Sequence, residues 1–348
     1  MTQQLTGSIR KFASSALQLC ASGRPALYKL QQQQQQKRGE GNEAELSMVK
    51  LGLGQSGVRQ IGEDAILIGQ TGGDCDAEFS YFGVADGVGG WRDQGIDPGE
   101  ASLALLDGCR SVFDASTSLK ELLTRAHGDL LNSRRDLIGS TTVCLARYST
   151  ETRRLDVANL GDSGLCVMDA EFQLRMRTQF QSNMGGVFNC PMQLAFPKAL
   201  SGQYPKPGEC ELYSIVLEPG DVVLMATDGL WDNLYQKTIE EIFRHAFQAS
   251  RIKVSEPKTA AAAQPTKSTV DESAEVETEA SPPLEAASRI LVDAATYLSA
   301  EQSYFSPFCQ SAKDAGLKYV GGKEDDISVV LARLCPSQAD VSTPKAKL

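Results

Sequence analysis

No stretch of the 348 residues approaches the roughly 20 consecutive apolar residues that a bilayer-spanning helix requires. Histidine is scarce, with only His127 and His245, and the nine cysteines are scattered without a C-x-x-C pair. Those shortages exclude the common His/Cys zinc site. An odd, dispersed set of thiols also speaks against a disulfide framework and for a reducing compartment. None of the cysteines has arginine six positions further on, which excludes a thiolate nucleophile with an arginine-cradled phosphate. Basic surplus is lacking as well. A net charge of -10 argues against nucleic-acid binding, which asks for a basic face. What chemistry the chain performs must rest mostly on carboxylates.

Acidic residues are absent from the first 39 positions, where Arg10, Lys11, Arg24, Lys29, Lys37 and Arg38 stand. A basic, acid-free, serine-containing start without a long apolar core has the composition of an organellar transit peptide, and delivery to the mitochondrial matrix is expected, with the cytoplasm as second choice. The run Gln31 to Gln36 reads as a low-complexity spacer. Residues 1–45 are thus assigned to a leader and spacer, 46–335 to one folded domain, and 336–348 to a polar tail. Within the domain, residues 250–283 are rich in Ala, Glu, Thr, Ser, Lys and Pro and nearly lack large apolar residues. Such a segment has no core to bury and is read as a disordered insertion.

Strand patterns are expected at 65–68, 81–85, 141–147, 155–159, 164–168, 211–217, 221–227 and 327–334, being short, branched and bounded by Gly, Asp or Pro. Residues 141–168 read as an antiparallel meander. Helices are expected at 99–114, 119–132, 238–248 and 284–299, the first announced by Asp97-Pro98. Strand runs interrupted by helix pairs predict an α+β layered domain rather than a parallel α/β fold.

Three segments run an apolar strand into an acid: Phe82 to Gly87, Val222 to Gly229, and, in reverse, Lys323 to Val329. A fourth, Arg59 to Asp64, precedes a strand. Each is weak alone, because Asp-Gly is a common turn. Together they place several carboxylates where strand ends meet solvent, and these would repel one another unless a cation lay between them. Oxygen-only donors suit hard ions such as Mg²⁺ or Mn²⁺. Asp74-Cys75-Asp76 lacks the loop of a calcium site and is set aside.

The motifs Ala85-Asp86-Gly87-Val88-Gly89-Gly90, Gly139-Ser140-Thr141-Thr142, Asn159-Leu160-Gly161-Asp162-Ser163, Ala226-Thr227-Asp228-Gly229-Leu230-Trp231-Asp232 and Asp325-Asp326-Ile327-Ser328-Val329 occur in this order. In them the chain resembles the metal-dependent type-2C (PPM) protein serine/threonine phosphatases, and most of all their mitochondrial PTC-seven-like branch. The resemblance implies a four-layer αββα fold, an antiparallel β-sandwich flanked by helices on both sides. It implies a monomer that hydrolyses phosphoserine and phosphothreonine in phosphoprotein substrates with two Mg²⁺ or Mn²⁺ ions. Carried over by residue, Asp86 bridges the metals, Gly87 offers its carbonyl, Glu63 completes the second site, and Asp228 and Asp325 hold the first. Arg59 matches the phosphate-binding arginine, and Asp162 an acid of a third metal site, although a hairpin-turn aspartate serves equally there. One departure concerns the leaving group: Val88 stands where many members have a histidine, so no side-chain proton donor is available at that position. A catalytically silent pseudophosphatase that only binds is the alternative, and the retained acids count against it. The segment Gln179 to Leu194 is read as a surface loop rather than a flap, and Trp91 and Trp231 as packing residues.

Overall fold

Side chains alternate faces along a strand, and several strands here are apolar on both faces, so each sheet needs cover on two sides. Strand Ile327–Leu334 illustrates it: Val330, Ala332 and Leu334 enter one core while Ile327, Val329 and Leu331 enter another. The computed structural model describes residues 17–26, 29, 49–51, 57–71, 78–182, 184–196, 204–254 and 283–335. Numbered in chain order, its strands form two six-stranded sheets and one small pair. The first sheet runs, in spatial order, β10 (Leu174–Arg177), β9 (Gly164–Met168), β13 (Val222–Ala226), β14 (Ile327–Leu334), β1 (Leu17–Arg24) and β2 (Val49–Leu51). The second runs β12 (Glu211–Val216), β8 (Arg154–Leu160), β7 (Val143–Ser149), β5 (Phe79–Asp86), β4 (Asp64–Thr71) and β3 (Gly57–Ile61). All pairings within them are antiparallel, and β6 (Gly139–Thr141) pairs with β11 (Leu194–Phe196).

The sheets pack face to face through Leu19, Leu165, Val223 and Val330 of the first and Ile66, Phe82, Cys144 and Tyr148 of the second. Helices α1 (Gly99–Ser111) and α2 (Leu119–Ser133) cover the outer face of the second sheet. A Ser118/Glu121 capping box starts α2 by satisfying backbone N–H groups that have no partner within the helix. The short α3 (Asp228–Trp231), with α4 (Gln236–Val254) and α5 (Pro283–Ser299), covers the first sheet, and α6 (Pro307–Asp314) follows, capped by the Ser306 hydroxyl. Three cores between four layers give the expected αββα sandwich. Among the described residues no helix is long and apolar enough to cross a membrane.

Two expectations are corrected. Residues 17–24, assigned to the leader, form β1 in the interior of the first sheet, hydrogen-bonded to β14 from Leu17↔Leu334 to Arg24↔Ile327 and to β2 on the other side. Small residues (Ala21, Ser22, Gly23) between Cys20 and Arg24 blur the strand signal, and burial by α5 supplies what local propensity does not. Residues 141–168 are no meander either: β7 and β8 pair, but β9 crosses to the other sheet and pairs with β13 and β10. Apolar residues on both faces of β9 allow it to sit between the inter-sheet core and the helices. Strands β2, β3, β10 and β11 and helix α6 were not expected; the strands are three to five residues long, too short for a period to register. Residues 1–16 and 30–48 of the leader and spacer, Asp74-Cys75-Asp76, residues 255–282 of the insertion and the tail 336–348 lie outside the described residues; the ends of the expected insertion 250–283 are helical instead, 250–254 continuing α4 and Pro283 starting α5.

Candidate active site

The acid-bearing strand ends open at one edge of the sandwich. Asp86 ends β5 directly opposite Asp64, which starts β4 after the turn carrying Glu63. Asp228 follows β13, Asp325 and Asp326 lead into β14, and these strands are neighbours, with Ala226 opposite Val329. Asp162 lies where the chain crosses from β8 to β9. The two sheets are tied at this edge by Thr227, whose hydroxyl donates to Asp64 Oδ2 at 2.8 Å and accepts the Ser328 N–H at 3.1 Å. Asp86 is fastened by the Gly139–Thr142 segment: its N–H reaches Thr142 Oγ1 at 3.2 Å, and its carbonyl receives the Thr141 hydroxyl and the Thr142 N–H, each at 2.9 Å. At Gly87 a Cβ would come within 2.7 Å of the Glu63 carbonyl, which the Gly87 N–H binds at 3.0 Å, so the backbone approaches there only because the side chain is missing.

These elements enclose a cleft of about 310 Å³ lined by Glu63, Asp86, Gly87, Val88, Arg92, Thr142, Asp162, Asp228, Lys323 and Asp325, among others. Burial, then the neighbouring carboxylates with Asp228 first, hold Asp86 and Asp162 well above the usual range. Burial pushes Asp325 up to about 6 and Asp232 to about 7. It pushes Asp228 up too, but the Lys323 ammonium together with hydrogen bonds from Lys323, Asp86 and the Gly229 backbone holds Asp228 below the ordinary value. Lys323 touches Asp228, Asp232 at 2.8 Å and Asp325 at 3.2 Å. Lys29 joins Glu63 at 2.8 Å and Asp326 at 2.5 Å, and Arg92 Nε takes the other Glu63 oxygen at 2.7 Å. Asp326 also accepts the N–H groups of Ala26 and Glu63.

Among the described residues, no three acidic, histidine or cysteine side chains already stand at the spacing of one ion. Ammonium groups lie among them instead, acting as stand-ins for positive charge. The donor set nonetheless suits a hard cation. It is all oxygen, its members repel one another, and Asp228 Oδ1 and Asp162 Oδ1 are buried without a hydrogen-bond partner.

Glu63, Asp86, Gly87, Asp162, Asp228 and Asp325 therefore meet, as the motifs suggested. Arg59 does not meet them. It lies exposed on the edge strand β3, with Nη1 3.5 Å from the Val58 carbonyl, and does not line the cleft. Sequence reasoning missed Lys323, Asp232, Arg92 and Lys29. Asp232 was within reach, one helical turn after Asp228, and Lys323 directly precedes the acidic run; Lys29 had no local signal. Gln179 to Leu194 borders the site, contrary to the surface-loop reading: Asn189 and Pro191 line the cleft, and Gln193 accepts from the Ser140 hydroxyl at 2.5 Å. Trp91 and Trp231 are buried packing residues with their indole N–H groups bonded to Ser140 Oγ and the Ala226 carbonyl. His127 bonds the Ala195 carbonyl and lies outside the cleft. The eight cysteines among the described residues are free, and burial pushes the Cys166 thiol up to about 12, an unreactive setting.

The sequence profile of Stage II sporulation protein E (SpoIIE) matches residues 80–280. "Protein phosphatase PTC7 homolog fig" of Drosophila pseudoobscura pseudoobscura is 32% identical over 290 residues, covering 80% of this chain and 74% of that protein. "Protein phosphatase PTC7 homolog" of Xenopus laevis is 31% identical, covering 84% and 86%. In fold, the photosystem II phosphatase PBCP superposes with a TM-score of 0.60 at 21% identity, over 91% of this chain and 98% of that one. At this identity and coverage, with the motifs in place on an αββα sandwich, the chain belongs to the family of PTC7-homologue protein phosphatases.

Proposed function

We propose that the protein is a metal-dependent phosphatase that removes phosphate from phosphoserine and phosphothreonine in proteins, in Mg²⁺- or Mn²⁺-loaded form. The observation that carries this is the convergence of Glu63, Asp86, Asp162, Asp228 and Asp325, from five separate chain segments, on one cleft. Asp86 with the Gly87 carbonyl, Asp228 and Asp325 would hold the ions, Glu63 would support the second site, and Asp162 a third. When bound, such ions generate a nucleophilic hydroxide at neutral pH and neutralise phosphoryl oxygens. The chain supplies the rest. Thr141 and Thr142 fix the Asp86 backbone, and the Asp64–Thr227 bond holds the two sheets in register beneath the site. Lys323 offsets the mutual repulsion of Asp228, Asp232 and Asp325 in the folded chain. Val88 provides no proton, so water or another group protonates the leaving alkoxide. Purified protein should hydrolyse a phosphothreonine peptide with Mn²⁺ and stop when a chelator is added. Asp228→Asn should remove activity while keeping the fold; wild-type turnover by that variant would sink the assignment.

The proposal extends to the mitochondrial matrix as location, on the composition of the first 39 residues, and to a monomer. Since β1 begins at Leu17, processing would have to cut before it. N-terminal sequencing of the cellular protein decides this: an intact N-terminus on a cytosolic product would refute it, and gel filtration at the mass of a dimer would refute the monomer.

A further inference from the structure

Three carboxylates surround one ammonium in the metal-free chain. Lys323 Nζ touches Asp228 Oδ2 and stands 2.8 Å from Asp232 Oδ2 and 3.2 Å from Asp325 Oδ2, with its side chain 16% exposed. The placement is built from the backbone outward. Buried Asn233 accepts the Lys323 N–H through Oδ1 at 2.9 Å and donates Nδ2 to the Lys323 carbonyl at 2.8 Å. The same amide donates to the Gly229 carbonyl at 2.9 Å, which ties the lysine to the turn that carries Asp228. The Phe308 ring lies 5.4 Å from the ammonium and offers it an aromatic face. Of the three acids, Asp228 and Asp325 line the cleft, whereas Asp232 is not among its walls.

We propose that Lys323 is a resident counter-ion of the metal site, displaced by divalent ions from Asp228 and Asp325 and retained by Asp232; the assignment rests on the metal-holding role given to Asp228 and Asp325 above. Three observations support it. First, two of the three carboxylates it neutralises are the two assigned to the ions, and an ammonium and a hard cation compete for the same oxygen lone pairs. Second, the ammonium satisfies Asp228 only in part. Its Oδ1 is buried with no hydrogen-bond partner, so an incoming cation finds an oxygen already desolvated. Third, Asp232 gives the displaced ammonium a place to stay, and a lysine has the flexible stem and rotating donors to turn from one carboxylate to another while its backbone remains clamped by Asn233. Such a counter-ion stabilises the metal-free chain and weakens its hold on metal. A lysine that merely built the site would act with the opposite sign, because removing it would loosen the carboxylates and weaken metal binding as well.

The test uses the full chain, stripped with a chelator and dialysed. Titration calorimetry with Mn²⁺, melting curves with and without Mn²⁺, and turnover of a phosphothreonine peptide at saturating Mn²⁺ are measured for wild type, Lys323→Met, Lys323→Arg and Asp228→Asn. Lys323→Met should bind Mn²⁺ about 10- to 100-fold more tightly than wild type, the range for one hydrogen bond to a charged group that no longer has to be broken. Without metal it should melt below wild type, because three carboxylates then face one another without their counter-ion. Lys323→Arg keeps the charge and should bind Mn²⁺ no more tightly than wild type. A crystal structure of the Mn²⁺-loaded wild type checks the same point without any variant: Nζ should be out of hydrogen-bonding reach of Asp228 and Asp325 and still on Asp232. Mn²⁺ affinity in Lys323→Met that is weaker than wild type, or within about twofold of it, overturns the proposal, since such a change lies below the worth of one charged hydrogen bond. So does a loaded structure with the ammonium still on Asp228 and Asp325. Tighter Mn²⁺ binding by Lys323→Met with no turnover by the wild type would uphold the counter-ion and defeat the phosphatase reading. Turnover by the wild type with unchanged affinity in Lys323→Met would do the reverse.

Discussion

At Asp228 the two carboxylate oxygens have opposite surroundings: Oδ2 receives the Lys323 ammonium, and Oδ1 is buried with no partner. The same tension recurs around it, where Asp325 and Asp232 are pushed up to about 6 and 7, chiefly by burial. Raised carboxyl groups bind their protons more tightly in the folded chain than in the unfolded one. Their contribution to stability is complete below about pH 4 and is lost as pH rises through 6 and 7. Asp86 and Asp162 shift in the same direction. Chelator-treated protein should therefore melt at a lower temperature at pH 8 than at pH 5. Divalent metal binds the deprotonated carboxylates, so the gain in melting temperature on adding Mn²⁺ should be larger at pH 8. A flat or rising profile without metal would contradict the crowding of charge described here.

Among the elements, β1 separates a reading of composition from one of packing. Its basic, acid-free surroundings look like a leader, yet Leu17, Leu19 and Ala21 lie in the inter-sheet core. If β1 is part of the domain, Leu19→Ala should cost about 2–5 kcal/mol in urea unfolding, the usual cost of truncating a buried leucine. A removable leader would show no change. Strands of the αββα core whose apolar runs are long enough, such as β13 and β14, were legible from sequence alone, as were all four long helices. The crossing of β9 was not, because a strand apolar on both faces does not say which sheet it joins. Nor was the approach of Gln179 to Leu194 to the cleft, since its hold depends on distant Asn159, Gly161 and Ser140.

For the whole molecule, the acids at one edge couple stability to metal. A ligand bound only by the folded state stabilises it by about 2.7 kcal/mol at one hundred times its dissociation constant. In a domain of this size that corresponds to a rise in melting temperature on the order of 5 °C. Scanning calorimetry with and without Mn²⁺ should show that rise in wild type and little of it in Asp228→Asn. Equal shifts in both would place the metal elsewhere.

The sequence by itself determined the acids, their order along the chain and the layered α+β class, because apolar runs that end in Asp-Gly are local features. Tertiary structure alone decided which charges face those acids. Lys29 precedes Asp326 by nearly the whole chain, Lys323 reaches back to Asp228, and Arg92 lines the cleft while Arg59 does not. A local pattern has no means of specifying such pairings. They follow from the strand order of two packed sheets, which brings together at one edge groups that the chain keeps far apart.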